Sequence, residues 1–502
     1  MANKACNEVV TVANMPMTVF DMISAMQNKY ADRVAFRYVE GKDMVVEKTY
    51  AQYVQDIRKA TGYLQQELGE PKGKKIVILS RTNYEYGAVV FGTMMAGAVI
   101  VTLNQGKTWA ELEYELGMVE PDLIFNDGID YGYRAQLEAL YGARLRPMDA
   151  WTAAPEAEMV NRIDHEGLLM LMFTSGTTGR SKGVMLSEKN YFTACQMYID
   201  GLKSVLDHEE RLVPQYLDQT FSHFTLVPMF HLAGFICYFV YGVQGWTLNL
   251  CCDARDLRRD MSLMHSDAMS TPPVLVEMIC NEVKRGHADR LNGLWNLSCS
   301  SAILDPAILS DLVKNGFYIN QCYSMTELAG YGLLNVTQEG DHLRALGKPD
   351  GFCEVKMDET GEICVRGGCV MLGYYKDPEA TAETIDKDGW LHTGDLARVD
   401  EEGYYYMTGR KKNLIILDSG ENVSPEELEK LLGKCDAIKE CIVKEMGKKI
   451  GTVVCCEDDK QQQVKAFVTE LNRTLPMYKR ISVVECSAEP LPRNALGKLL
   501  RR

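Results

Sequence analysis

No two of the 16 cysteines in this 502-residue chain have C-x-x-C spacing. That excludes a zinc ribbon and a thioredoxin-like redox centre, and so many scattered thiols point to a reducing compartment. Long hydrophobic runs are also missing. The longest, Ala88 to Leu103, covers 16 positions and includes two threonines and two glycines. A membrane span needs about 20 predominantly apolar residues, so this stretch predicts a buried helix running into a strand. Met1 to Val10 is polar and lacks the apolar core of a signal peptide, which makes a cytoplasmic protein the expectation. Basic residues fall short of acidic ones, 54 against 69, leaving a net charge of −15. A field of that sign repels nucleic acid and anionic membrane. No internal repeat or low-complexity tract is present.

What remains is the composition of an ordinary globular protein, 46% apolar and 25% charged, long enough for two to four structural units. From Ala31 to Val184, short apolar strands alternate with amphipathic segments, as in Lys75 to Leu79 and the helical stretch after Asn83. This predicts α/β layering around a largely parallel sheet. Between Gly347 and Thr408 the pattern changes to short alternating strands, with a hairpin signal at Asp400-Glu401-Glu402-Gly403. After Gly409 a small α+β module follows. Its strand Leu414 to Leu417 precedes a helix start at Ser424-Pro425-Glu426-Glu427, which supplies an N-cap, a first-turn proline and a glutamate three residues after the cap. Leu428, Leu431 and Leu432 are its apolar stripe, Gly433 ends it, and a β-β-α-β run continues to Val484. The expected fold is α/β. A large N-terminal domain of layered subdomains with a small β-barrel-like unit spans 1–408, a hinge 409–412, and a small mobile α+β domain 413–502.

The strongest local signal is Thr174-Ser175-Gly176-Thr177-Thr178-Gly179-Arg180-Ser181-Lys182-Gly183, directly after the apolar strand Leu168 to Phe173. Glycines among hydroxyls, closed by a lysine, make a loop whose amides, hydroxyls and ammonium can wrap a polyphosphate. It is not a Walker A loop. Gly179 to Gly183 also satisfies Gly-x-Ser-x-Gly, the nucleophile elbow of α/β hydrolases. Ser181 lies eight positions after Phe173, too many for a tight strand-to-helix elbow, so a serine hydrolase using Ser181 is the lesser alternative.

The loop resembles the phosphate-binding signature of the adenylate-forming superfamily, which includes acyl-CoA synthetases, adenylation domains that load carrier proteins, and luciferases. Further pieces recur in order. Tyr323-Ser324-Met325-Thr326-Glu327 resembles the family's Y-G-M-T-E motif, and His392-Thr393-Gly394-Asp395 its T-G-D motif. Gly409-Arg410 and the loop Gly420 to Glu429 resemble its hinge region. Leu491-Pro492-Arg493 with Gly497-Lys498 resembles its C-terminal lysine motif.

The resemblance implies an ATP-dependent acid:CoA ligase acting on a fatty or aryl acid, with ATP, Mg²⁺ and CoA as cofactors and co-substrates. Loading of a carrier-protein phosphopantetheine is the runner-up. It further implies that Thr174, Ser175, Gly176, Thr177, Thr178, Gly179 and Lys182 hold the β- and γ-phosphates. Thr326 would bond the α-phosphate and Glu327 would ligate Mg²⁺. Tyr323 would stack on adenine, with Ser301 and Ala302 on the other side. Asp395 would bind the ribose, assisted by Arg410, and Lys498 would bridge the substrate carboxylate and the ribose. His231 would sit beside the acyl carboxylate, and Lys412 would be the hinge. Three positions depart from the family pattern: Ser324 stands for glycine, Ser181 for proline and Asn494 for threonine. The acid pocket is expected from Phe230 to Phe239, Cys299 to Leu304 and Leu328 to Gly332, all apolar or small.

Overall fold

The computed structural model describes residues 10–174, 181–206, 220–299, 304, 306–338, 340–349, 351–416, 422–447, 449–493 and 499–500. The chain divides into two compact units, Met1–Val355 with Val365–Leu391, and Lys356–Cys364 with His392–Arg502. No helix among the described residues is long and apolar enough to cross a membrane.

The first unit contains two large sheets. The seven-stranded sheet runs Gly373–Tyr374, Lys182–Leu186, Met170–Thr174, Val99–Thr102, Lys75–Leu79, Leu123–Asn126, Leu145–Pro147. Its last five strands are parallel, and the first two join antiparallel at one edge. The Ala88 to Leu103 stretch forms helix Tyr84–Met95 and strand Val99–Thr102, as its length predicted. The apolar strand expected at Leu168 to Phe173 is observed two residues later, at Met170–Thr174.

The eight-stranded sheet runs Gly330–Asn335, Tyr318–Met325, Asn296–Cys299, Ala268–Thr271, Ser222–Thr225, Thr247–Leu250, Val34–Glu40, Met44–Thr49. Its six inner strands are parallel and its two edges antiparallel. Val34–Glu40 pairs on one side with Met44–Thr49, which follows it, and on the other with Thr247–Leu250, more than 200 residues away. Local alternation identifies a strand and carries no information about so distant a partner.

Register partners across parallel strands share a face. Phe224, Met269, Leu297 and Ile319 therefore line one face, where they belong to a buried hydrophobic core. The opposite face meets helix Leu232–Gln244, which is buried nearly all round. A helix apolar on every side requires partners on every side. Aromatic rings supply many of them: Phe239 stacks on Tyr191 at 4.7 Å, and Phe91 meets both Tyr238 and Phe239.

In the second unit, strand Leu391–Val399 pairs antiparallel with Tyr405–Arg410 across the expected hairpin. These two join residues 356–364 of the same unit, from strands Cys353–Met357 and Glu362–Gly367, in a four-stranded sheet. Beyond it, helix Pro425–Leu432 begins as its sequence dictates, the Ser424 hydroxyl accepting from the Glu427 N–H while Leu428 and Leu432 are buried. Strands Glu440–Glu445, Ile450–Cys455 and Val483–Ser487 form a three-stranded sheet with helix Gln461–Thr474 between the last two.

Candidate active site

The phosphate-loop candidate lies on the hairpin between strands Met170–Thr174 and Lys182–Leu186, which places Thr174 opposite Lys182. Ser175, Gly176, Thr177, Thr178 and Gly179 lie outside the described residues. Because a strand follows Ser181 where the hydrolase elbow needs a helix, the strand–turn–helix geometry of that alternative is missing. The Ser181 hydroxyl instead donates to Glu115 Oε1 at 2.5 Å. Glu115 is fully buried and also ion-paired with Lys107. Serine at the position where the family carries proline thus ties the loop exit to helix Trp109–Val119 by a hydrogen bond.

Lys182 is brought to Glu327 through a residue the motifs do not include. The Lys182 ammonium sits 4.6 Å from the centre of the Tyr374 ring, and the Tyr374 hydroxyl donates to Glu327 Oε1 at 2.9 Å. Burial and the Glu327 charge both raise the Tyr374 pKa, so its phenol stays protonated and remains a donor. Strand Gly373–Tyr374 pairs with Lys182–Leu186, which sets this geometry. Glu327 and Thr326 begin a 3₁₀ turn, Thr326–Leu328, directly after strand Tyr318–Met325, which carries the buried Tyr323. Glu327 is fixed further by its own backbone, whose carbonyl accepts from the Met371 N–H at 2.9 Å.

His231 is the N-cap of helix Leu232–Gln244, and its Nδ1 accepts from the Ala233 N–H at 3.2 Å. That bond assigns the ring proton to Nε2, and burial lowers the pKa, so the ring is a neutral donor. From His231 the helix leads into a cavity of about 310 Å³, part of it open to solvent. Leu232, Ala233, Ile236 and Gly330, which fall in the segments expected to wall the acid pocket, line it. The expectation of merely apolar or small walls missed its other side, made by Ser270, Ser298, Cys322 and Ser324. Ser324, where the family carries glycine, is thus one of the cavity's polar groups. Ser301 and Ala302 lie outside the described residues.

Asp395, Arg410 and Lys412 belong to the second unit. Asp395 and Arg410 are register partners, and the Asp395 carboxylate, almost fully buried, is bridged by the guanidinium at 2.7 Å. A buried carboxylate needs such a partner to remain charged. Glu362, which no motif singled out, organises the turn before Asp395. It accepts from the Gly394 N–H at 2.7 Å and ion-pairs with Lys411 at 2.8 Å. Lys412 is exposed in the short 3₁₀ turn Lys411–Asn413. Just before it, Gly409 approaches the helix cap so closely that a Cβ there would lie 2.6 Å from Ser424 Oγ. Lys498 lies outside the described residues.

A family model described as AMP-binding enzyme matches residues 24–375. Among curated proteins, the peroxisomal OPC-8:0-CoA ligase 1 of Arabidopsis thaliana is 27% identical, over 87% of this chain and 84% of its own. The long-chain-fatty-acid–CoA ligase of Escherichia coli O157:H7 is 26% identical, over 97% and 93%. Among solved structures, the Bacillus subtilis o-succinylbenzoate CoA synthetase, bound to its acyl-adenylate intermediate, superposes with a TM-score of 0.80. It is 23% identical and the match covers 96% of each chain.

Proposed function

The chain belongs to the AMP-binding enzyme family, and on that premise we propose that it is an ATP-dependent, AMP-forming acid:CoA ligase. One oxygen of the acid's carboxylate bonds to the α-phosphorus of ATP and pyrophosphate leaves. The thiol sulfur of CoA then bonds to the acyl carbon, AMP leaves and the thiol proton is released. The first nucleophile is already ionised, so no general base is needed. Catalysis reduces to holding two anions together and neutralising the charge that develops between them.

The observation that carries this reading is the linked set Lys182, Tyr374 and Glu327. It holds the loop's cation and the motif's carboxylate in one cluster. We assign Lys182, Thr174 and residues 175–179 to the β- and γ-phosphates, Thr326 to the α-phosphate and Tyr323 to the adenine. Asp395 takes the ribose hydroxyls, with Arg410 holding its charge. His231 donates from Nε2 to the substrate carboxylate, and Lys498 bridges that carboxylate and the ribose. The Glu327 carboxylate is an oxygen donor of the kind Mg²⁺ takes. Bound there, the ion would offset negative charge on the phosphates. In this reading residues 1–408 bind ATP and acid, 409–412 are the hinge and 413–502 a lid that reorients about Lys412 between the two half-reactions.

CoA is favoured over a carrier protein as acceptor because the curated relatives are CoA ligases. A reducing, cytoplasmic setting agrees with 15 described cysteines that form no disulfide. The decisive experiment is ATP–pyrophosphate exchange on wild type and on Lys498→Ala. The variant is expected to lose exchange by a factor of about 100 or more, the scale of a lost transition-state donor, while still converting a preformed acyl-adenylate and CoA to the thioester. Persisting exchange would refute the assignment of this lysine.

A further inference from the structure

Most parallel sheets buried on both faces are made of near-continuous apolar strands. The inner strands of the eight-stranded sheet are not. Asn296-Leu297-Ser298-Cys299 alternates polar with apolar, and Ser222–Thr225, Ala268–Thr271 and Tyr318–Met325 each carry polar side chains among apolar ones. Register places Thr225, Ser270 and Ser298 side by side, opposite in facing to the core residues Met269 and Leu297. Ser298 is in register with Asn320, so Cys322 and Ser324 extend the same face along the next strand. Hydroxyls on four neighbouring strands thus point toward helix Leu232–Gln244.

Behind this row one imidazole is already satisfied on both nitrogens. His223 is fully buried, with Nδ1 on the Tyr241 hydroxyl at 2.7 Å and Nε2 accepting from the Ser270 N–H at 3.2 Å. The ring is thereby held on both nitrogens, on the strand beside Ser270. In front of it lies the cavity of about 310 Å³, with Leu232 and Ile236 on one side and Ser270, Ser298, Cys322 and Ser324 on the other. That volume counts the part open to solvent, so the enclosed space is smaller still. The cavity begins where His231 caps the helix, and Ser324 stands two residues before Thr326. Its mouth is therefore the reacting end, and its hydroxyl wall faces the body of the acid.

We propose that the acid is compact, a single ring or a short chain, and carries a hydrogen-bonding oxygen substituent that Ser270, Ser298 and Ser324 bind. This rests on the acid:CoA ligase reading and narrows it. An unsubstituted alkyl chain would cover these hydroxyls and offer them no acceptor or donor, and sites built to bond a hydroxyl discriminate against ligands that lack it. A long chain would also exceed the space this cavity encloses.

The test is ATP–pyrophosphate exchange by the full-length protein with matched acids: benzoate against 3- and 4-hydroxybenzoate, hexanoate against 6-hydroxyhexanoate, and palmitate alone. A hydroxylated member is expected to exceed its parent by about tenfold or more in kcat/KM, with palmitate inactive. Equal or faster exchange with palmitate or the unsubstituted acids would overturn the inference and leave the ligase reading intact. No exchange with any acid would overturn both. Ser270→Ala should lower the wild-type preference for the hydroxylated acid, and an unchanged ratio in the triple variant Ser270→Ala/Ser298→Ala/Ser324→Ala would overturn the assignment of the wall. The wild-type comparison stands even where a variant fails to fold.

Discussion

The two faces of the eight-stranded sheet are built from the same strands, residue by residue in alternation, and they differ in kind. One face, with Phe224, Met269, Leu297 and Ile319, packs into a dry core. The other presents Thr225, Ser270, Ser298, Cys322 and Ser324 to a helix and a cavity. An alternating strand ordinarily signals one face in water. Here most of these side chains are buried or half-buried, and the polar face is turned inward. Alternation inside a parallel sheet therefore separates residues selected for stability from residues selected for what they bind.

Stability should break first on the apolar face. Leu297 is completely buried among core side chains, so Leu297→Ala removes packed methyl groups and leaves a void. The expected loss is about 3 kcal/mol in unfolding free energy, read from the denaturant midpoint, with the order of preference among acids unchanged. A change in acid preference would show that the faces are not independent.

A smaller effect should come from His223 on the polar face, and only in acid. Burial pushes the His223 pKa down to about 3, below the ordinary value near 6.5. The unfolded chain therefore takes up the extra proton first as pH falls, and the contribution of neutral His223 is lost progressively between these two values. The slope is about 1.4 kcal/mol per pH unit, so about 2 kcal/mol should be gone by pH 5. His223→Gln keeps hydrogen-bonding capacity and removes the titration. Unfolding free energies of wild type and variant, measured at pH 7 and pH 5, should differ in slope by that amount. Parallel slopes would mean that the buried ring is not titrating as its surroundings dictate.

Much of the site was legible because its parts are short and contiguous. The loop between Thr174 and Lys182, the Tyr323 to Glu327 run and the Ser424 cap each declare themselves within ten residues. Asp395 and Arg410 were both named, although only the hairpin pairing shows that they neutralise each other. What sequence did not reveal is contributed from afar. Tyr374 reaches Glu327 across 47 positions because a two-residue strand docks beside Lys182. Glu115 meets Ser181 across 66, and Glu362 meets Gly394 across 32. The serine wall is the extreme case. Each member is a small residue in a four-to-eight-residue strand, without a motif, and only parallel register makes them neighbours. The pattern that could have exposed them was the alternation itself, in strands too apolar on one side to be solvent-facing.

Ser298→Ala offers the finest separation of the two faces, since Ser298 is the chain neighbour of Leu297 and points the other way. Its hydroxyl lies 3.3 Å from the Cys322 thiol, a weak partner. Exchanging it for a methyl should cost the fold less than about 1 kcal/mol, because the removed group is not a keystone of the core. If the hydroxyl serves the substrate, the loss appears elsewhere. The preference for a hydroxylated acid over its parent should fall by about fivefold to tenfold, near 1 kcal/mol of binding, and through KM rather than through the rate of a saturated enzyme. A structural role predicts the reverse, a lower denaturant midpoint with the preference intact. Adjacent residues with opposite signatures, Leu297 in stability and Ser298 in selectivity, are what a sheet divided between folding and recognition requires.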